Sequence, residues 1–260
     1  MIDKNTLKDS FKDFSKQSLF SYCCIDNFFP ESLAQSLSAE FPSFEDSKWH
    51  EYKNQIEIKK TSNNWNIFPK TTYDTFLFLN STDFTSILSE LTGIETLISD
   101  PGLNGGGWHI HSNGGKLNPH LDYSMHPKIP YQRKLNLIVY LQEGWQSSWG
   151  GHLGFYEHDQ EKNAPGALIN EIEPVFNRAV FFDTTMNSWH GLCREVKTPN
   201  GICRKSMAVY YLTTPPENVN VRGKALFAPT DEQKQDDDVL DLIERRSSND
   251  SASSVWRADS

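Results

Sequence analysis

The chain has 260 residues, 37% of them hydrophobic and 23% charged, and its 16 Phe, 7 Trp and 9 Tyr supply enough apolar bulk for one large domain or two small ones. The formal net charge is −9, but residues 231–260 hold nine acids and four bases, which leaves the remainder at only −4 with no cluster of Lys and Arg. This excludes the basic stripe that neutralises phosphates, so nucleic acid is not an expected partner.

No apolar run approaches the roughly 20 residues that cross a bilayer, and the first residues alternate charge with apolarity, so neither a membrane partner nor a secretory signal is expected. Cys23, Cys24, Cys193 and Cys203 match neither a disulfide framework nor zinc-finger spacing, which points to a reducing, cytoplasmic setting.

In chain order, residues 1–94 read as a helical part packed on a barrel. "PESLAQSLSAEF" places Pro30 at a first helical turn and Leu33, Leu37 and Phe41 on one face. "STDFTSILSELTG" has Ser81 or Thr82 as its cap, Phe84, Ile87, Leu88 and Leu91 as an apolar stripe, and Gly93 as its stop. After "DPGLNGGG" the pattern changes to short aromatic and β-branched runs: "WHIH", "LNLIVYL", "HLGFYE", "GALINEI", "RAVFFD" and "SMAVYYLT". No helix-length segment alternates with these strands, so residues 95–230 are expected to form an antiparallel double-stranded β-helix, a jelly roll, giving a mainly β (α+β) fold with flanking helices. Residues 231–260 read as an acidic helix, "DDDVLDLIERR", followed by a Ser-rich tail.

Histidine placement carries the chemistry. His109, His111, His120 and His126 fall within eighteen residues, around Gly-rich turns. On a strand, the spacing of His120 and Asp122 sends both side chains to one face, where they can share a cation. His190, after the strand "RAVFFD", would complete a set of two histidines and a carboxylate that leaves coordination sites open, as non-haem Fe(II) oxygenases require. Arg204 and Ser206 begin the next strand. A hairpin centred on Thr198 would set His190 opposite Ser206, Leu192 opposite Arg204 and Cys193 opposite Cys203, placing the metal near a guanidinium that can grip a dicarboxylic cosubstrate bidentately.

Together, "LNPHLDY", "RKLNLIVYLQEGWQSSWGGHLGFYE", "NRAVFFDTTMNSWHG" and "CRKSMAVYYLT" resemble the Fe(II)/2-oxoglutarate-dependent dioxygenases, specifically the prolyl 4-hydroxylase-like catalytic domain, over about residues 95–215. The resemblance implies iron held by His120, Asp122 and His190. It implies the distal carboxylate of 2-oxoglutarate held by Arg204 with Ser206, with Tyr140 reaching the same group and Asn136 and Ile138 lining the pocket beside it. It further implies O2 as co-reactant, ascorbate as reductant, and hydroxylation of an unactivated C–H with release of succinate and CO2. A prolyl residue of a peptide or protein is the favoured substrate, a free amino acid, glycan or small metabolite the alternative.

Two other readings stay open at this level. His109 and His111 on one strand suit a cupin-like site or, with His120, a zinc-dependent hydrolase, and a barrel of this kind can serve as a binding module without oxygen chemistry. Trp145 and Trp149 form either a lid over the pocket or a packed edge.

Overall fold

The computed structural model describes residues 2 and 4–247; the predicted Ser-rich tail lies outside the described residues. In chain order the elements are α1 (Lys4–Ser10), β1 (Tyr22–Ile25), α2 (Glu31–Ala39), β2 (His50–Lys53), β3 (Glu57–Ser62), α3 (Lys70–Leu79), α4 (Thr82–Thr92) and β4 (Ile98–Ser99). There follow β5 (Gly107–His111), β6 (Lys116–Leu117), β7 (His120–Leu121), β8 (Gln132–Tyr140), β9 (Leu153–Asp159) and β10 (Ala164–Ile172). The chain ends with β11 (Ala179–Asp183), β12 (His190–Leu192), β13 (Arg204–Thr213), β14 (Leu226–Phe227) and α5 (Asp237–Ser247).

The strands make two antiparallel sheets, a major one in the order β1-β11-β8-β13-β5-β3-β2, with β4 and β6 attached, and a minor one in the order β10-β9-β12-β7-β14. This is the expected jelly roll. Alternation along β8 shows how sequence builds it: Leu135, Leu137 and Val139 point outward into the core shared with the helices, while Asn136 and Ile138 face the interior cavity. The helices cover the outer face, with Leu37, Phe76, Phe84 and Leu88 fully buried against it. α4 is bounded as its sequence demands, since the Ser81 hydroxyl accepts from the Phe84 N–H at 3.2 Å and Gly93 closes the helix in the left-handed region at φ 70°.

The first 94 residues do more than supply helices. β1 extends one end of the major sheet and β2 with β3 the other, so Glu57 and Lys59 on β3 reach the interior cavity.

The predicted hairpin around Thr198 does not form. β12 pairs with β7 and β9 (His190↔His120, Gly191↔Gly154), whereas β13 pairs with β5 and β8 (Arg204↔His111, Ser206↔Tyr140). Backbone bonds explain the difference: Cys193 N–H donates to the His152 carbonyl, Val196 N–H to Gly115 and Lys197 N–H to Trp149, so this segment is held by distant loops while it crosses between sheets. Cys193 and Cys203 are both free thiols rather than a cross-strand pair.

Gly107, which opens β5, sits at φ +88°, and a Cβ there would lie 2.2 Å from the Ser62 carbonyl oxygen on β3. Gly107→Ala should therefore cost about 3 kcal/mol, read as a lowered chemical-denaturation midpoint; an unchanged midpoint would show that β5 tolerates displacement from β3.

Candidate metal centre and cosubstrate pocket

β7 and β12 are adjacent in the minor sheet, and their pairing places His120 directly against His190, with ring centroids 4.3 Å apart. Asp122 follows two residues after His120. Its Oδ1 lies 3.8 Å from His120 Nε2 and its Oδ2 3.9 Å from His190 Nε2. Among the described residues these three form the one group of His, Cys, Asp or Glu whose donor atoms all lie within 4.8 Å of one another. All three are buried.

The ring orientations are fixed from behind. His120 Nδ1–H donates to the Asn118 carbonyl at 3.0 Å and His190 Nδ1–H to the Ser188 carbonyl at 2.8 Å, so each Nε2 lone pair is left for a cation. Burial, reinforced by His190, pushes His120 down to about 3, which keeps it in the neutral form that ligates metal. Burial opposes ionisation of Asp122 as well, but the neighbouring charges, Arg133 among them, outweigh it and hold the carboxyl below its ordinary value. Arg133 lies 3.9 Å from Asp122 and is itself enclosed between the rings of Tyr123 and Tyr210. The Oδ2 atom of Asp122 is buried without a hydrogen-bond partner. A buried carboxylate oxygen facing two imidazole lone pairs fits a divalent ion.

Arg204 enters the same cavity, of about 150 Å³, from the opposite sheet. Its Nε–H donates to the Gly151 carbonyl at 2.8 Å and its guanidinium lies 4.8 Å from the Tyr140 ring centroid. Arg204 is 4% exposed and, among the described residues, no carboxylate pairs with it. A buried guanidinium lacking a counterion calls for an anionic ligand. Ser206, Asn136 and Ile138 line the cavity, and Tyr140 stands beside it, its hydroxyl pushed up to about 12 by burial against the opposing pull of Arg204. The buried polar atoms without partners include the Tyr140 hydroxyl, Asn136 Oδ1 and both ring nitrogens of His111, concentrated around one space. Such a concentration suits a polar cosubstrate.

The structure brings the predicted His120, Asp122, His190, Arg204, Ser206, Asn136 and Ile138 to one cavity, although not through the predicted hairpin: His190 and Arg204 approach it from different sheets. His109 and His111 line the same cavity but are not grouped with His120 as a ligand set, which removes the basis for a zinc site on those three. Burial and the charge of Lys59 lower His109 to about 3, and burial with Arg204 holds His111 well below its ordinary value. Trp145 and Trp149 pack edge to face, centroids 5.4 Å apart, and neither is among the cavity-lining residues. Trp145 Nε1–H donates to Gly150, next to the carbonyl that orients Arg204, so the pair braces that loop. His126 and His152 lie in loops and are buried; His126 meets Asp100 at 3.4 Å and Asn104 at 2.8 Å. Sequence reasoning passed over Arg133, Glu57, Lys59, Phe227 and Arg246, all on the cavity wall. Only Arg133, in the polar first third of a strand that continues as an apolar run, carried a local signal.

Residues 106–234 match the family model described as the 2OG-Fe(II) oxygenase superfamily. Among curated proteins, prolyl 3-hydroxylase OGFOD1 of Xenopus laevis is 29% identical over 92 residues, a match that takes in 34% of this chain and 17% of that relative's length. Among solved structures, a Pseudomonas putida prolyl-4-hydroxylase superposes with a TM-score of 0.55 at 18% identity, covering 79% of this chain and 98% of that one. A prolyl 4-hydroxylase from Phytophthora capsici gives 0.54 at 18% identity, covering 95% and 77%. A Trichoplax adhaerens prolyl hydroxylase, in complex with a hypoxia inducible factor oxygen degradation domain peptide fragment, gives 0.50 at 15% identity, covering 80% and 88%. At these identities the structural likeness speaks for the fold. Through residues 106–234 the chain belongs to the 2OG-Fe(II) oxygenase superfamily.

Proposed function

We propose that the protein hydroxylates an unactivated C–H of a prolyl residue in a peptide or protein, converting 2-oxoglutarate and O2 to succinate and CO2. The observation that carries this reading is the buried His120–Asp122–His190 group sharing one cavity with an Arg204 that has no carboxylate partner. The prolyl substrate is supported by the curated prolyl 3-hydroxylase relative and by the folds of prolyl hydroxylases, one of them in complex with a peptide.

In this reading His120, Asp122 and His190 hold Fe(II), and the bound metal with 2-oxoglutarate supplies the oxidising chemistry. The chain's own residues do the rest. The Asn118 and Ser188 carbonyls keep both imidazoles in the ligating tautomer. Arg204, oriented by Gly151, binds the distal carboxylate of 2-oxoglutarate, with the Ser206 and Tyr140 hydroxyls as further donors. His111, neutral and adjacent to Arg204 on β5, offers an N–H to the same ligand. The closed inner wall of Ile138, Leu153 and Phe227 limits water around the reacting carbon. Ascorbate serves as the reductant that keeps iron ferrous, and a reducing, cytoplasmic setting agrees with four free thiols.

Incubation with Fe(II), ascorbate, 2-oxoglutarate and a set of prolyl peptides should give a 16 Da gain on a prolyl residue with succinate formed in step, about 16 Da being one added oxygen atom. Succinate formed in step with a gain on a free amino acid, glycan or metabolite instead would keep the chemistry and overturn the prolyl substrate.

A further inference from the structure

One wall of the cavity, built by β3 and α5, carries a group of charges that the reaction above leaves unused. Glu57 is 1% exposed and is shared by two cations, Lys59 at 3.1 Å and Arg246 at 2.6 Å. One carboxylate cannot neutralise both. Arg246 Nη1 is buried with no hydrogen-bond partner, so it holds unsatisfied N–H donors at the edge of the cavity.

The charge count around the whole cavity points the same way. Its ionised side chains are Lys59, Arg133, Arg204 and Arg246 against Glu57 and Asp122, an excess of positive charge. A divalent metal and a dianionic cosubstrate cancel each other, so loading both leaves that excess in place. Arg133 faces Asp122 and one positive charge of the excess sits on Arg204, which faces the cosubstrate; the other lies at Lys59 and Arg246, which share the single carboxylate of Glu57. The spot is close to the reacting centre: the Arg246 guanidinium lies 5.2 Å from the Phe227 ring centroid, and Phe227 stacks on His120 at 5.1 Å. α5 is held there by Val239 and Leu242, which pack with Ile56 and Phe227.

We propose that Arg246 and Lys59 form a carboxylate subsite that recognises an anionic group of the substrate next to the carbon to be oxidised. The C-terminal helix is then part of the active site, and the preferred substrate presents either an α-carboxylate or an acidic side chain beside the target. This rests on the reading of the centre as an Fe(II)/2-oxoglutarate site but not on the substrate being prolyl.

The test is calorimetric titration, under argon, of the enzyme loaded with Fe(II) and 2-oxoglutarate, using three probe pairs that differ only in carboxylate against carboxamide. These are L-proline and L-prolinamide, acetyl-Pro-Glu-amide and acetyl-Pro-Gln-amide, and N-acetylvaline and N-acetylvalinamide. In at least one pair the carboxylate should bind at least about tenfold more tightly. Arg246→Gln should level that pair while leaving 2-oxoglutarate affinity and iron content unchanged. Because Arg246→Gln strips Glu57 of one partner, Lys59→Gln is measured in parallel and should weaken the same carboxylate. Discrimination by the first pair identifies an α-carboxylate source, by the second a neighbouring acidic residue. Discrimination by the acetylvaline pair alone would keep the subsite and remove the prolyl reading. Equal binding within every pair, no carboxylate binding up to about 10 mM, or discrimination that survives both substitutions would overturn the subsite, whatever the fate of the prolyl substrate.

Discussion

Asp122→Ala should leave a folded protein that no longer retains iron. Asp122 supplies the only formal negative charge among the three candidate ligands, and loss of a directly ligating carboxylate should weaken the metal by more than about a hundredfold, the upper range for a mere outer-shell partner. The fold should survive because the Arg222 Nη2–H donates to the Asp122 carbonyl oxygen at 2.7 Å, a bond that alanine keeps, and Arg133, which faces the carboxylate, retains the Asn104 carbonyl, the Tyr123 hydroxyl and two Tyr rings as partners. Metal analysis after dialysis reads the first effect and circular dichroism the second. A thermal-shift series gives an independent measure, since a ligand at about 1,000 times its Kd adds about 4 kcal/mol; the wild type should gain that from Fe(II) and the variant should gain nothing. His109→Ala is the matched control and should keep its iron, because His109 lines the cavity outside the three-residue group. Iron lost equally from both variants would reopen the site built on the His109 strand.

Arg204→Ala should do the reverse, keeping iron and losing 2-oxoglutarate. Truncating one partner of a buried charge pair costs about 2–5 kcal/mol, which corresponds to an increase in KM for 2-oxoglutarate of roughly 30- to 4,000-fold. Arg204→Lys should restore little, because an ammonium cannot both donate to the Gly151 carbonyl, as Nε does at 2.8 Å, and present a planar fork to a carboxylate. Steady-state assays with varied 2-oxoglutarate, read beside metal content, separate the two effects. Parallel loss of iron and cosubstrate affinity would mean that Arg204 shapes the metal site rather than anchoring the diacid.

Local patterns in the sequence carried much of this centre. His120 and Asp122 share a face because a strand alternates, and the apolar runs that became β8, β11 and β13 are strongly β-branched and aromatic. What escaped was non-local. The turn formed by Pro199, Asn200 and Gly201 is real, with Gly201 at φ 83°, yet a turn signal cannot say whether its flanking strands pair with each other or with partners more distant in the chain, such as Phe155 for His190 and Tyr140 for Ser206. β2 and β3 are short and largely charged, "HEYK" and "EIKKTS", so neither shows the apolar alternation that marks a strand. Glu57, Lys59 and Arg246 consequently looked like solvated charges; only the approach of α5 to β3 makes them a buried group. The H-x-H strand misdirected for the opposite reason, since its local spacing is that of a metal site while its partners across the sheet are Ser206 and Arg204.

The most direct measurement is a crystal structure grown anaerobically with Fe(II) and 2-oxoglutarate, with anomalous scattering recorded across the iron edge. One iron peak bonded to His120 Nε2, His190 Nε2 and an Asp122 oxygen is expected, with the far carboxylate of 2-oxoglutarate on the Arg204 guanidinium. A peak on His109 or His111, or a diacid bound away from Arg204, would contradict the account.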